Sequence, residues 1–412
     1  MTDFIFDLAK VGEVYVVGGA VRDYIYNYYH GTNKIIKDFD FLVRLIRKEN
    51  IINVLKKFGS CKEVEVGKSF DIILFTPFSG NTAYEFVTPI NGYMAELSDD
   101  FARRDSTMNA MGFRIYSLQD LEYFKHFDKL LVSNIYDFFG GCEDIKRKIW
   151  RCVGNPIDRF YEDPTRVMRA FRQSAELNLQ IDNQTFNELK NHYSVIQKLI
   201  PDSFVRLYNE LLRTINSKYY KNHLDMMRDI GILELLKINK IYTIYDTNST
   251  ILKLAMLIRP ETFASSIRTW INETQLNATV YLNKHDSLIL EGIQKYSDVL
   301  SQINLQLYDI LKILESMYKD YKTHTYFVIE NIMIYLNLIN CTKKYSSTII
   351  LINESKKYPI TTDDLVLDGH ILMQKYNITG QNIKKTKDML LDEIHKNNCS
   401  NKLDELEKKL IL

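Results

Sequence analysis

Two aspartates, Asp38 and Asp40, are separated by one phenylalanine in the run Asp38-Phe39-Asp40-Phe41-Leu42-Val43. On an extended strand the side chains alternate, so both carboxylates share one face while Phe39 and Phe41 take the other. Carboxylates that close repel each other unless a cation lies between them, and hard oxygen donors suit magnesium. Just upstream, Val14–Val17 reads as a buried strand, Gly18-Gly19 as a sharp turn and Ala20–Tyr29 as a helix. The amides of Gly19 and Ala20, with Arg22 on the first helical turn, then form a seat for phosphate at a helix N-terminus. A phosphate seat beside paired carboxylates points to magnesium holding a nucleoside triphosphate.

Such a site needs a sheet to carry it. Up to about Asp137 the segments Val14–Val17, Phe39–Arg44, Cys61–Val66, Phe70–Phe75, Tyr84–Thr88 and Gly112–Tyr116 read as strands, separated by helical stretches such as Arg47–Phe58. From Cys142 onward, sparse prolines and long helical periodicities predict a mostly helical remainder, with Ser203–Ile215, Ile251–Ile258 and Leu305–Met317 as examples. The expected class is α+β, a mixed sheet with helices followed by an all-α part.

With 412 residues and 46% hydrophobic composition the chain has ample core material for several domains. Its 53 basic and 52 acidic residues leave no bulk cationic field, so any RNA contact must come from local patches. Cys61, Cys142, Cys152, Cys341 and Cys399 are scattered and form no C-x-x-C pair, which argues against a zinc site and a disulfide framework. The N-terminus lacks a basic region followed by an apolar core, and no apolar run approaches membrane-spanning length. A cytoplasmic protein without membrane contact is expected, and no protein partner is read from the chain.

The opening stretch, Gly18 to Val43, resembles the head of the class II tRNA nucleotidyltransferase and bacterial poly(A) polymerase family. Four further matches follow in the family's order: Val66-Gly67-Lys68-Ser69-Phe70, Arg103 to Ala110, Gly140-Gly141-Cys142-Glu143-Asp144-Ile145, and Glu162 to Arg169. Arg206, Glu210 and Leu211 resemble its R-x-x-x-E-L helix, and Asp368-Gly369-His370 and Thr379-Gly380 are similar to the tail of bacterial members. The resemblance implies a polymerase-β-like nucleotidyltransferase head at 1–140, a helical neck that selects the nucleobase at 141–200, a helical body at 201–320 and a tRNA-binding helical tail at 321–412. It also implies transfer of CMP from CTP, with AMP from ATP left open, onto the tRNA 3′ end, with Mg2+ bound at Asp38 and Asp40.

Within that frame Glu85 is a third carboxylate or a solvated glutamate. Gly18, Gly19, Arg22, Arg104, Asp105 and Asn109 are expected at the nucleotide, with Arg103 and Arg104 opening a helix and Asp105 and Asn109 reaching a sugar hydroxyl. Asp163, followed by Pro164, reads locally as a helix cap. In the family the matching Asp and Arg, here Asp163 and Arg166, hydrogen-bond the edge of the incoming base. Arg169 and Arg172 continue the spacing toward phosphate contact or packing of the neck.

Other features carry less chemistry. Lys284-His285-Asp286 is expected on a surface loop, Lys384–Lys387 at a solvated helix start, and the stretch Asp120 to Ile135 as an added hairpin or an RNA contact. Only 18 positions separate Glu85 from Arg103, shorter than in CCA-adding relatives, and Ile90 stands near the place of a usual arginine. The missing loop implies efficient addition of two cytidines and poor addition of the terminal adenosine. The alternatives are a poly(A) polymerase and a non-catalytic RNA-binding member of the family.

Overall fold

The computed structural model describes residues 3–36, 38–66, 70–80, 82–125, 132–199, 204–236, 238, 252–253, 255, 284–300, 305–339 and 345–411. The Gly67-Lys68-Ser69 motif, Cys341 and most of the helix expected at Ile251–Ile258 lie outside these residues. The chain divides into two units, Met1–Leu235 and Leu236–Leu412.

The first unit begins with a seven-stranded mixed sheet. Its strands are β1 (Glu13–Val17), β2 (Asp40–Arg44), β3 (Gly59–Val66), β4 (Phe70–Pro77), β5 (Tyr84–Val87), β6 (Met111–Ile115) and β7 (Ile135–Asp137), in the order β3-β4-β5-β2-β1-β6-β7. Only the β2–β5 pair is parallel. Alternation along these strands divides the sheet chemically. One face carries Val14, Val16, Phe41, Val43, Ile73, Phe75 and Phe86, all buried. Phe4, from the helix Phe4–Ala9, packs on this face with its ring centroid 4.8 Å from Phe75. The other face carries Val17 and Leu42 in a cluster with Leu97, Phe101 and Val153, and beyond them Asp40 and Glu85.

The helix Gly19–His30 follows β1 directly and stops at Gly31, whose φ of 62° closes it in the left-handed conformation. Of the 120–135 stretch, residues 126–131 lie outside the described residues. Leu118–Lys125 is 3-10 helical, Phe124 is buried with its ring 5.5 Å from those of both Tyr24 and Phe39, and β7 extends the sheet beside β6.

The rest of this unit is helical apart from a second sheet of two short strands, Ile149–Trp150 and Gln180–Ile181, which the all-α expectation did not include; the helices are Gly141–Lys146, Pro156–Glu162, Thr165–Leu177, Asn183–His192, Phe204–Ile215 and Tyr220–Asp229. Local signals set their ends. Asn155 caps Pro156–Glu162 with Pro at the first turn, and Asp182 accepts from the Thr185 amide. The long helix Thr165–Leu177 buries Val167, Met168, Ala170, Phe171 and Ala175, and ends at Asn178 with φ 53°.

The second unit is helical throughout its described elements, among them Lys284–Leu300, Leu307–Tyr321, Thr325–Ile339, Gln381–His395 and Leu403–Ile411. A cluster of Leu365, Leu367, Leu372, Leu390, Leu391, Ile394 and Leu406 forms its C-terminal core. Lys284-His285-Asp286 opens a helix instead of lying on a loop, because the His285 ring packs edge-on against His324 at 5.2 Å and Phe327 at 5.3 Å. Lys384–Lys387 lies in the first turns of Gln381–His395, as expected. Among the described residues no helix is long and apolar enough to cross a membrane, and Cys61, Cys142, Cys152 and Cys399 are free thiols.

Candidate active site

The acidic centre is made by strand register. Asp40 opens β2 and lies opposite Val17 of β1 and Glu85 of β5. Residues directly opposite each other point to the same face, so the Asp40 and Glu85 carboxylates stand side by side. Asp38 is exposed and precedes the strand, which begins at Asp40 and not at Phe39 as the alternation predicts.

Backbone shape brings the basic groups to these acids. Gly18 has φ 71° and ψ −124°, and a Cβ there would stand 2.9 Å from Arg104 Nη1 and 4.0 Å from Asp40 Oδ2. An L side chain fits neither this conformation nor this space. Arg104 is loosely held, at 3.3 Å from the Asn109 carbonyl and 3.4 Å from Asp100 Oδ2, above the Phe101 ring at 5.3 Å. Its guanidinium therefore has donors to spare for an anion. Arg22 is fixed more firmly: Nε donates to Asp23 Oδ1 at 2.8 Å and Nη1 to Asn109 Oδ1 at 2.8 Å.

Burial and then the Glu85 carboxylate raise the Asp40 pKa above the ordinary carboxylate value, Asp38 adds to this, and Arg104 and Arg22 oppose it. Asp40 keeps an exposed surface, so its discomfort comes from unbalanced neighbouring charge and restricted solvation together. Among the described residues no three acidic, His or Cys side chains converge into a ready-made metal cage. Magnesium needs none, because it takes one or two carboxylates and completes its shell with substrate phosphates and water. A pair of hard oxygen donors whose charges lack a partner fits that ion.

The segment after the acids departs from expectation. Arg103 and Arg104 follow the short helix Leu97–Phe101 and do not open one, because Leu97 and Phe101 fill the cluster under β1 and the chain then turns. The next helical piece downstream is the 3-10 turn Thr107–Asn109. Asp105 and Asn109 are buried and bonded to each other, Asn109 Nδ2 to Asp105 Oδ1 at 2.7 Å. Burial alone would raise the Asp105 pKa, but Arg169, with further hydrogen bonds from Asn109 and Gln173, holds it well below the usual range. Arg169 Nε lies 2.8 Å from Asp105 Oδ2.

In the helical part, Asp163 Oδ1 accepts from the Thr165 amide at 3.1 Å and its hydroxyl at 2.7 Å, the capping bond expected locally. Arg206, on the helix Phe204–Ile215, adds a donor 3.2 Å from Asp163 Oδ2. Arg166 does not meet Asp163. It donates to Glu162 Oε2 at 2.8 Å and to the Arg103 carbonyl at 2.7 Å. Glu162 also receives Arg103 Nη2 at 2.7 Å, and Arg159 Nη1 donates to the Ala102 carbonyl at 2.9 Å. Arg172 is buried, donating to Glu210 and, at 2.7 Å, to Glu176. Arg206 as the partner of Asp163, and Glu162 as the hub of three arginines, were not read from the sequence. Only the run of a glutamate with arginines at i−3 and i+4 hinted at the second.

Residues 14–151 match the poly A polymerase head domain. The chain is 26% identical over 261 residues to the CCA-adding enzyme of Staphylococcus saprophyticus, a match covering 59% of this chain and 58% of that one. It is 31% identical over 225 residues to the CCA-adding enzyme of Staphylococcus epidermidis, covering 53% and 50%. In these matches the chain spans about half the length of the curated relatives, whereas the match to the Lactobacillus johnsonii enzyme covers 93% and 88% at 23% identity. Among solved structures, the Bacillus stearothermophilus CCA-adding enzyme in complex with CTP superposes with a TM-score of 0.66 at 19% identity, covering 99% and 95%. The Thermotoga maritima CCA-adding enzyme complexed with tRNA gives 0.63 at 18%, covering 99% and 94%. The fold is that of these proteins: a mixed-sheet head followed by helices.

Proposed function

We propose that this chain, similar to the class II tRNA nucleotidyltransferases, is a template-independent enzyme that joins CMP from CTP to the tRNA 3′ end and releases diphosphate. The observation that carries the reading is the Asp40–Glu85 pair set beside Gly18 and the spare donors of Arg104. The proposed division is a catalytic head at 1–140, a base-selecting neck at 141–200, a body at 201–320 and a tRNA-binding tail at 321–412. Cytoplasm, where tRNA and nucleotides meet, is the proposed place of action.

Asp38 and Asp40, with Glu85 beside them, are the donors for Mg2+, which when bound neutralises triphosphate charge and acidifies the RNA 3′-hydroxyl. The amides of Gly19 and Ala20, at the turn that Gly18 opens, with Arg22 and Arg104, hold and orient the phosphates. Asn109 acts through its bond to Arg22 and Asp105 through its pairing with Arg169. Asp163, held by Arg206 and Thr165, presents an acceptor to the base. Arg166 becomes its partner after leaving Glu162, and Arg172 stiffens the helix that starts just after Asp163 and carries Arg166.

Two cytidines are the expected product. The link from β5 to Leu97–Phe101 folds into successive turns, Gly92 N to Pro89 O at 3.1 Å and Ala95 N to Gly92 O at 2.9 Å, and the Leu45 amide ties it to the end of β2 through the Tyr93 carbonyl at 2.7 Å. A link this short and tied has little travel with which to rearrange the base pocket for ATP. The test is end-sequencing of tRNA lacking CCA after incubation with CTP, ATP or both. We expect two added cytidines and slow terminal adenosine. Long adenosine tails from ATP alone indicate a poly(A) polymerase, absence of product a non-catalytic RNA-binding protein, and adenosine added to tRNA ending in CC as fast as cytidine a complete CCA-adding enzyme.

A further inference from the structure

Gln173 lies on the helix Thr165–Leu177 and is 1% exposed, yet its amide is the centre of a buried polar cluster. Oε1 accepts from Trp150 Nε1 at 2.8 Å and from Asn109 Nδ2 at 3.0 Å, and Nε2 donates to Asp105 Oδ2 at 2.9 Å. The chemistry of the partners forces both amide orientations. An indole N–H only donates, so it must face the Gln173 oxygen, and a carboxylate only accepts, so it must face the Gln173 nitrogen. Asn109 is determined in the same way. Its nitrogen spends both hydrogens, on Asp105 and Gln173, which leaves its oxygen for Arg22 Nη1.

Were the Asn109 amide to flip, its NH2 would oppose a guanidinium, donor against donor. Gln173 and Asp105 together prevent that flip. We propose that Gln173 is a positioning residue for the nucleotide's phosphates: it fixes the Asn109 amide with its oxygen toward Arg22 and thereby holds the Arg22 guanidinium at the phosphate seat. The inference rests on the proposed function, and deepens it by connecting a residue of the base-selecting helix to the triphosphate end of the same substrate.

The experiment uses the full chain and reads KM for CTP and ATP, inhibition by inorganic pyrophosphate, and Tm. Gln173→Met keeps the volume and loses every hydrogen bond. We expect KM for both nucleotides and the pyrophosphate inhibition constant to rise by a common factor of about five to ten, with kcat little changed. Gln173→Glu keeps an acceptor for Asn109 and Trp150 but sets a second carboxylate against Asp105. It should lower Tm more than Gln173→Met does, yet leave the inhibition constant within about twofold of the parent. This inversion, with the less stable variant binding pyrophosphate better, separates positioning from bulk stability. In an Arg22→Ala background, Gln173→Met should add nothing. An unchanged inhibition constant in Gln173→Met, a ranking that follows Tm, or a further rise in the double variant overturns the inference. Absence of nucleotidyl transfer by the unaltered chain overturns the proposed function instead.

Discussion

Asp40 and Asp105 are both aspartates of the first unit within reach of arginines, and their surroundings drive them in opposite directions. Asp105 is buried and its carboxylate is answered by Arg169, Gln173 and Asn109. Asp40 faces Glu85 in strand register and has no direct cation of its own within salt-bridge distance among the described contacts, only the field of Arg104 and Arg22. The first acid is complete within the protein, whereas the second lacks a counter-charge of its own and, under the proposed function, takes one from a bound ion. That contrast distinguishes a structural acid from one poised for a metal ion, although both would appear in sequence as an aspartate near a basic residue.

The largest effect should come from breaking the incomplete side. Asp40→Ala removes a proposed metal donor and relieves like-charge repulsion, so transfer should fall at least ~10⁴-fold, about 5.5 kcal/mol of barrier, with Tm unchanged or raised. Near-normal turnover measured with saturating CTP would sink the assignment.

Next in size is the complete side. Asp105→Ala leaves the part-exposed Arg169 with Glu210 alone, at 3.9 Å, and strands amide donors of buried Asn109 and Gln173, so it should cost roughly 1–3 kcal/mol in denaturant unfolding. The same pair can be separated by pH. The Asp105 pKa is depressed below its ordinary 3.8, so its contribution to stability is present above that value and is lost as pH falls through the folded-state value. The Asp40 pKa is raised above 3.8, so its contribution is present below that value and is lost as pH rises through the folded-state value. Acid titration of unfolding should therefore be blunted by Asp105→Asn, while Asp40→Asn should improve stability at neutral pH. Equal pH profiles for the two variants would erase the distinction.

The smallest effect tests a residue between the two cases. Asp163 caps the helix that follows it and is clasped by half-exposed Arg206, so Asp163→Ala should cost about 1 kcal/mol of stability. It should also change the ratio of CMP to AMP incorporated. A stability loss with the same CTP preference would reduce Asp163 to a cap.

Much of the head was legible because its signals are local: alternating strands, the glycine turn after β1 and the caps of the following helices. The strands and the sharp turn at Gly18 follow from a few adjacent residues each, with strand ends displaced by one or two positions. The Arg103–Asn109 segment was misread as helical because its composition permits a helix, whereas its conformation is set by Phe101 docking under β1 and Asp105 meeting Arg169, contacts that span the unit. Arg206 reaches Asp163 from 43 positions away, beyond any periodicity. Gln173 did leave a trace: a polar amide among Val167, Met168, Ala170, Phe171 and Ala175, on a helix that also buries Arg172 and Ser174. Such an exception inside a buried face is where a hydrogen-bond network should be sought.

Part of the contact between the helices after Asn155 and the segment 102–109 is made by main-chain atoms. Arg159 and Arg166 donate to the carbonyls of Ala102 and Arg103, groups that every amino acid carries. Those two bonds hold whatever side chains stand at 102 and 103, while the Arg103 guanidinium on Glu162 and the Asp105 carboxylate on Arg169 depend on side-chain identity. A substitution at 103 therefore removes one salt bridge and leaves the hold of Arg166 on the same residue's backbone in place.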